Sequence, residues 1–293
     1  MRLRERWTGG RLREAGAGYV LILPLVLASG AFLFVPIVTS AYWSFTDFSG
    51  LGSPTWVGLR NYTDLFADPR FIRALVNTVI FVGLGMSIGP TLGLLSALLL
   101  NREVRFRSFF RTAYFLPVMT SLVVVATIWK ILLNERGILN SFLGVVGVPA
   151  HAWLAQTNTA LPAVTITSIW QGFGFETVVF LAALQAIPRD LYDAAHVDGA
   201  GAWSTFRHVT LPGLRSTILF VYIYGIIGSF QVFDQVFVMT QGGPIQSTTT
   251  VVFRLYQEFY NLNLGKASAI AYVLVLILAA ISFVQLRIGE ERD

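Results

Sequence analysis

Cysteine is absent from all 293 residues, which removes disulfides, thiolate metal sites, iron–sulfur clusters and a cysteine nucleophile at once. Charge is scarce as well. Asp, Glu, Lys and Arg make up 13% of the chain, against about 25% in an average soluble domain. So few charges cannot wet the surface of a soluble protein of this size. With 55% hydrophobic residues, the chain also falls outside the disordered class, which needs low hydrophobicity and high charge. The phosphate-cradling loop of nucleotide-binding proteins is missing: the one Gly-Lys pair, Gly265-Lys266, has Tyr260 where that motif needs a glycine. No H-E-x-x-H helix, G-x-S-x-G elbow or G-x-G-x-x-G turn is present. The three histidines, His151, His196 and His208, are assigned below to opposite sides of a membrane and make no metal site. The sequence therefore predicts neither an enzyme nor a metal or cofactor bound to this chain.

What is present is long apolar runs. A helix needs about 20 apolar residues to cross the hydrocarbon core, and six segments qualify. They run from about Gly18 to Phe45, Val76 to Leu100, Thr112 to Leu133, Leu161 to Ile187, Thr217 to Thr240 and Ala267 to Ile288. The expectation is an all-α polytopic membrane protein with six transmembrane helices and both termini on one side. Of the 21 Lys and Arg, 14 fall in the N-terminal tail, the 101–111 turn with Arg102, Arg105, Arg107 and Arg111, the 188–215 stretch and the C-terminus. The positive-inside rule puts these segments in the cytoplasm. The net charge of +5 is thus a membrane-surface signal and does not point to nucleic acid.

The first apolar run is too long for a cleavable signal peptide and is expected to remain as a span, kinked at Pro24 and Pro36. Tyr42, Trp43, Trp129, Trp153, Tyr256 and Tyr260 lie near span ends and read as interfacial anchors. Leu139 to Gly147 has the composition of an interfacial half-helix. In the second span Gly85, Gly89, Gly93 and Ala97 recur every four residues, a smooth face for close helix packing or for a moving interface. Glu176 and Asp234 lie inside spans, where a carboxyl is costly and faces a bundle interior or a wet cavity. A solute path, structural pairing (Asp234 with Lys130 is one pairing) and contact with a partner subunit all remain open for them.

The most informative stretch joins spans four and five. Pro188 is a helix start, Asp190 and Asp193 suit its first half, and Gly199 suits a left-handed stop. A second helix then carries Trp203, Phe206 and Val209 as an apolar stripe before Pro212 ends it. The pair has the form of a plug for a groove on another protein, or else packs beneath its own bundle.

This stretch resembles the EAA loop of binding-protein-dependent ABC importer permeases, approximately E-A-A-x-x-D-G-A followed by an aromatic-bearing helix and L-P. Asp193 stands for the Glu; Ala194, Ala195, Asp198, Gly199 and Ala200 match in spacing, and Phe206, Leu211 and Pro212 complete the pattern. Ser44-Phe45-Thr46-Asp47, Val57-Gly58-Leu59-Arg60-Asn61-Tyr62, Asn77-Thr78, Phe110-Arg111, Leu116-Pro117 and Thr240-Gln241-Gly242-Gly243-Pro244 are similar to the sugar-type members, near the glycerol-3-phosphate and maltose subunits. The resemblance implies a type I ABC importer permease core over residues 74–288. A basic cytoplasmic tail (1–16), a first transmembrane helix (17–46) and an outer loop (47–73) would precede it, and a short cytoplasmic tail (289–293) would follow.

Its implied partners are a second homologous permease subunit, two ATP-binding subunits that hold ATP and Mg, an extracytoplasmic solute-binding protein and membrane lipid, in a bacterial or archaeal plasma membrane. The implied cargo is a sugar or sugar-like solute (oligosaccharide, polyol or glycerol phosphate). Asp193, Ala194, Ala195, Asp198, Gly199 and Ala200 would couple to the ATPase. Matching along the loop spacing, the resemblance points to Ser121, Ser168, Gln171, Gly172, Gly225, Ser229 and Val232 for the solute path, and chemistry alone adds Glu176, Gln231 and Asp234. The rival expectation is a gradient-driven secondary transporter or channel acting without an ATPase.

Overall fold

The computed structural model describes residues 9–102 and 107–290. Residues 1–8 of the basic tail, Arg105 in the 101–111 turn and residues 291–293 lie outside the described residues. Within them every regular element is helical, apart from one bridge between Thr46 and Trp56. Five helices are long and apolar enough to cross a membrane: Gly16–Trp43, Pro69–Asn101, Ala160–Ala186, Arg215–Met239 and Leu264–Ile288.

The third expected span is not one straight helix. It is a pair, α5 (Arg107–Met119) and α6 (Leu122–Leu132), bent by 100°. Pro117 cannot donate into the last turn of α5, Thr120 closes a tighter turn onto the Pro117 carbonyl, and Ser121 turns extended (φ −54°, ψ 134°). The freed Thr120 carbonyl accepts from the Gln171 side chain of α8 (Ala160–Ala186) at 3.3 Å. The fifth expected span breaks too, between α12 (Arg215–Phe230) and α13 (Asp234–Met239). There the Val232 carbonyl accepts from Thr250 Oγ1 at 3.1 Å. Away from water, a broken helix is tolerated only when its released groups find partners of this kind.

The first span departs from the expected kinks in an instructive way. α1 (Gly9–Ser29) runs through Pro24; the irregularity is a widened π-turn at Gly30–Phe34, followed by α2 (Val35–Trp43). Val35 N–H reaches back to the Gly30 carbonyl, directly before Pro36. The same device recurs at Phe206–Thr210, where Leu211 N–H bonds the Phe206 carbonyl directly before Pro212. A proline ring crowds the carbonyl four residues back and donates no bond, and the wider turn relieves both faults. Pro212 therefore does not end the second loop helix as expected; helix continues as α11 (Leu211–Gly213), and Leu214 joins it to α12.

Three clusters hold the bundle. α4 (Pro69–Asn101) and α8 share the most extensive contact. Near the end of α8, Ala97, Leu100, Leu184, Ile187, Leu214 and Val221 close one end of the bundle. At the other end, Phe81, Leu161, Val164, Val236 and Phe253 form a second core, and Phe71, Val82, Phe230, Val251 and Ile270 a third. That end is capped by α3 (Arg60–Ala67), α14 (Val251–Tyr260) and the start of α15 (Leu264–Glu290). The first span stands apart, with no buried residue in its most apolar window; α2 touches α15, where Tyr272 Oη donates to the Ile37 carbonyl.

Buried amides and hydroxyls lock the α14 end. Asn61 donates to the Ser44 and Thr46 carbonyls (2.9 and 2.8 Å), and Tyr62 to Ser44 Oγ (2.8 Å). Asn77 donates to the Gln246 and Thr249 carbonyls (3.0 and 2.9 Å), and Thr78 Oγ1 accepts from Val251 N–H (3.0 Å). Arg254 pairs with Asp68 (3.1 Å) and with Glu258. Asp68 also caps α4 by accepting from Arg70 N–H at 2.9 Å.

Candidate functional site

Two places carry the expected functional residues. The first is the loop between α8 and α12. Pro188 precedes α9 (Arg189–Val197), and Asp190 lies in its first turn, where a carboxylate suits the helix dipole. The helix stops in a Schellman motif: Gly199 N–H bonds the His196 carbonyl (3.0 Å) and Ala200 N–H the Ala195 carbonyl (2.9 Å), with Gly199 at φ +74°. A Cβ on Gly199 would meet nothing within 4 Å, so glycine is required there by its backbone conformation and not by crowding inside this chain. α10 (Ala202–Thr205) follows after Gly201.

The loop has an anchored side and a free side. Tyr192 Oη and Thr210 Oγ1 lie 3.2 Å apart, and Tyr192 and Val209 pack on the cluster containing Ile187 and Leu214. Facing away, Asp193, Ala194, Asp198 and Gly199 are exposed, while Ala195 and Ala200 are partly covered. Val197 is 85% exposed and Trp203 71%. The expected stripe is therefore split: Trp203 stacks on Phe206 at 5.6 Å on the free side, and Val209 turns inward.

The second place is a cavity of about 460 Å³ among α4, α5, α6, α8, α12 and α13. It lies beside both breaks: Thr120 and Leu122 flank the first, and Gln231, Val232, Phe233 and Asp234 span the second. Nine of the ten expected path residues line it: Ser168, Gln171, Gly172, Glu176, Gly225, Ser229, Gln231, Val232 and Asp234. Ser121 does not, although its neighbours Thr120 and Leu122 do; it serves as the residue before α6. Gln171 ties the place together, donating to the Thr120 carbonyl while its own oxygen accepts from Gln235 at 3.5 Å.

Glu176 projects from α8 toward the glycine face of α4. A Cβ on Gly93 would sit 2.7 Å from Glu176 Cβ, and one on Gly89 3.1 Å from its Oε2. The four-residue glycine spacing thus makes room for this carboxyl, whose Oε2 is buried without a hydrogen-bond partner. Asp234 opens α13. The expected ion pair with Lys130 is not formed, because Lys130 Nζ donates to the Val238 carbonyl at 2.9 Å. Sequence reasoning missed Thr120, Gln235, Met86 and the rings of Phe173, Phe175 and Tyr224 at the wall. The Thr120-Ser121 pair after Leu116-Pro117 carried the available signal for the first of these.

The half-helix expected near Leu139 is α7 (Ile138–Val145), with Ile138, Phe142 and Val145 exposed and Asn140 buried in bonds to the 134, 135 and 151 carbonyls. Several expected anchor rings pack inward instead: Trp129 on Trp170, Trp153 against His151, and Tyr256 among Phe233, Phe237 and Phe253. Among the described residues no group of His, Asp or Glu is arranged to hold a metal ion.

Residues 89–288 match the family described as "binding-protein-dependent transport system inner membrane component". The chain is 33% identical to the trehalose/maltose transport system permease protein MalF of Thermococcus litoralis over 96% of both chains. It is 34% identical to the lactose transport system permease protein LacF of Rhizobium radiobacter over 94% of each. Among solved structures, a chain of a bacterial ABC transporter involved in import of the acidic polysaccharide alginate superposes with a TM-score of 0.86. That match has 25% identity and covers 96% of this chain and 98% of that one.

Proposed function

The chain belongs to the binding-protein-dependent transport system inner membrane components, and from that premise we propose that it is the permease subunit of an ATP-driven importer for a sugar or sugar-like solute. The loop over 188–215 is its contact with the ATPase, and the cavity between the broken helices is its share of the path. The observation that carries this reading is the two-sided loop. Its inner face is fixed to the bundle through Tyr192, Val209 and Ile187, and its outer face presents exposed Asp193, Asp198, Val197 and Trp203. A rigid plug with an uncovered apolar tip transmits a push from a partner without being deformed by it.

The solute type follows from the kinship with sugar permeases together with the wall chemistry: amides, hydroxyls and aromatic rings around a cavity of about 460 Å³. The uncovered first span supports pairing with a second permease, and the basic segments support both termini facing the cytoplasm. ATP and Mg belong to two partner ATPases, and an extracytoplasmic binding protein delivers the solute.

The test is a mild-detergent purification of the tagged chain from its own host, wild type beside Gly199→Glu, with mass spectrometry of what accompanies it. A second permease and an ATPase should accompany the wild type, and the ATPase should be lost from the variant. A chain that purifies alone in both cases and still moves solute in liposomes would make it a secondary transporter instead.

A further inference from the structure

Kinship leaves the charge of the solute open, because the similar proteins bear names for neutral sugars and for an acidic polysaccharide alike. The cavity wall speaks to it. Two residues with carboxyl side chains, Glu176 and Asp234, line the wall, and among the described residues no Lys, Arg or His does. On neighbouring α6, Lys130 gives its ammonium to the Val238 carbonyl (2.9 Å) instead of to the cavity.

An anion that leaves water for such a site needs a counter-charge or a full set of donors, and this wall supplies no counter-charge. Ionised, Glu176 and Asp234 repel it; protonated, each offers one O–H donor and still no positive charge. Glu176 Oε2 is buried and has no hydrogen-bond donor of its own within the chain. A wall of carboxyls, amides and hydroxyls fits a group that both donates and accepts. A hydroxyl does both; an ionised phosphate or carboxylate group only accepts.

We propose that the path through this subunit admits an uncharged, hydroxyl-bearing solute and turns away anionic ones, with Glu176 and Asp234 as its specificity-determining carboxyls. The proposal rests on the importer reading above and narrows it, excluding glycerol phosphate and uronate oligosaccharides from the expected cargo. A like charge about 12 Å away at an effective dielectric constant of about 20 changes an equilibrium about tenfold. Each carboxylate is therefore expected to supply about one decade of discrimination.

The experiment uses the whole permease–ATPase complex, purified through this chain into lipid nanodiscs without the binding protein, whose own selectivity would mask that of the path. Equilibrium binding is measured for a neutral panel (glucose, maltose, maltotriose, sorbitol) and an anionic panel (sn-glycerol 3-phosphate, glucose 6-phosphate, trigalacturonate). The wild-type complex should bind at least one neutral probe about tenfold more tightly than any anion. Glu176→Gln and Asp234→Asn should each raise the anion-to-neutral ratio about tenfold. Scoring the ratio keeps the readout valid for a partly unfolded variant, because unfolding lowers both classes together. Preference of the wild type for an anion, or a ratio unmoved in both variants and in their combination, overturns the proposal. Binding of neither class by the wild type overturns the importer-path reading on which it rests, a distinct result.

Discussion

At the α14 end, Asn61, Asn77 and Thr78 spend buried polar atoms on the backbone of distant segments, and Arg254 is 8% exposed between two carboxylates. At the α9 end, Tyr192 ties the loop back at Thr210, while Val197, Asp198 and Trp203 stand in the open. Both ends carry the short motifs that resemble importer permeases, so a motif alone does not announce its role. At one end Asn61 and Tyr62 bond the Ser44–Thr46 motif, and Asn77 and Thr78 bond the segment running into α14, so the motif residues hold distant stretches of chain together. At the other they hold a backbone turn in shape and leave the side chains free. The first arrangement serves stability, and the second leaves uncovered the surface that the proposed ATPase contact needs.

Substitutions at the two ends should therefore separate stability from coupling. Arg254→Met has the largest expected effect. It leaves the buried Glu258 without its counter-charge, at a cost of about 3–5 kcal/mol, read as a fall in the melting temperature of the purified chain. Gly265→Ala comes next: its Cβ would lie 2.1 Å from the Thr46 carbonyl oxygen, a backbone atom that the Asn61 amide also holds. A loss of about 3 kcal/mol by the same measurement is expected. Were either variant as stable as wild type, the division between the two ends would collapse.

At the α9 end the effects should be small on stability and large on assembly. Gly199→Ala places a side chain at φ +74°, costing about 1–2 kcal/mol, and should reduce ATPase recovery well beyond what that loss of stability explains. Acid titration refines the α14 end. Burial pulls the Asp68 carboxyl upward, but its bonds with Arg70 and the nearby Arg254 charge hold it, on balance, below its ordinary value of 3.8. Its contribution is therefore present above that value and fades as pH falls through and below it. Asp68→Asn should flatten that acid limb and leave the melting temperature at neutral pH slightly lower. The smallest effect is predicted for Trp203→Ala, within about 0.5 kcal/mol of wild type because the ring is exposed; its loss should show only in ATPase recovery.

Much of this was legible in the residue order. The apolar runs gave helices close to their expected limits, and Gly199 took the left-handed stop that its place after α9 implied. Nine of the ten residues expected along the path share one cavity, although their roles there await the binding measurements. The exceptions have a common cause. Ser121 missed the wall, Lys130 did not meet Asp234, the third span bent by 100° and the fifth broke between α12 and α13. Each outcome depended on a partner from another segment: Gln171 for the Thr120 carbonyl, Thr250 for the Val232 carbonyl, and the Val238 carbonyl for Lys130.

The chain's own order of residues determined that it is a helical membrane protein, where helices start and stop by local chemistry, and which loop carries the turn at Gly199. Hydrophobic run length and left-handed glycine act within a few residues, so they can be read in one dimension. Only the tertiary structure decided where helices break inside the bundle, and hence where the cavity lies. A released carbonyl in an apolar setting is tolerable only when a donor arrives from elsewhere in the fold. That donor's position is set by how α8 and α14 pack, and neither packing is written in the residues around the break.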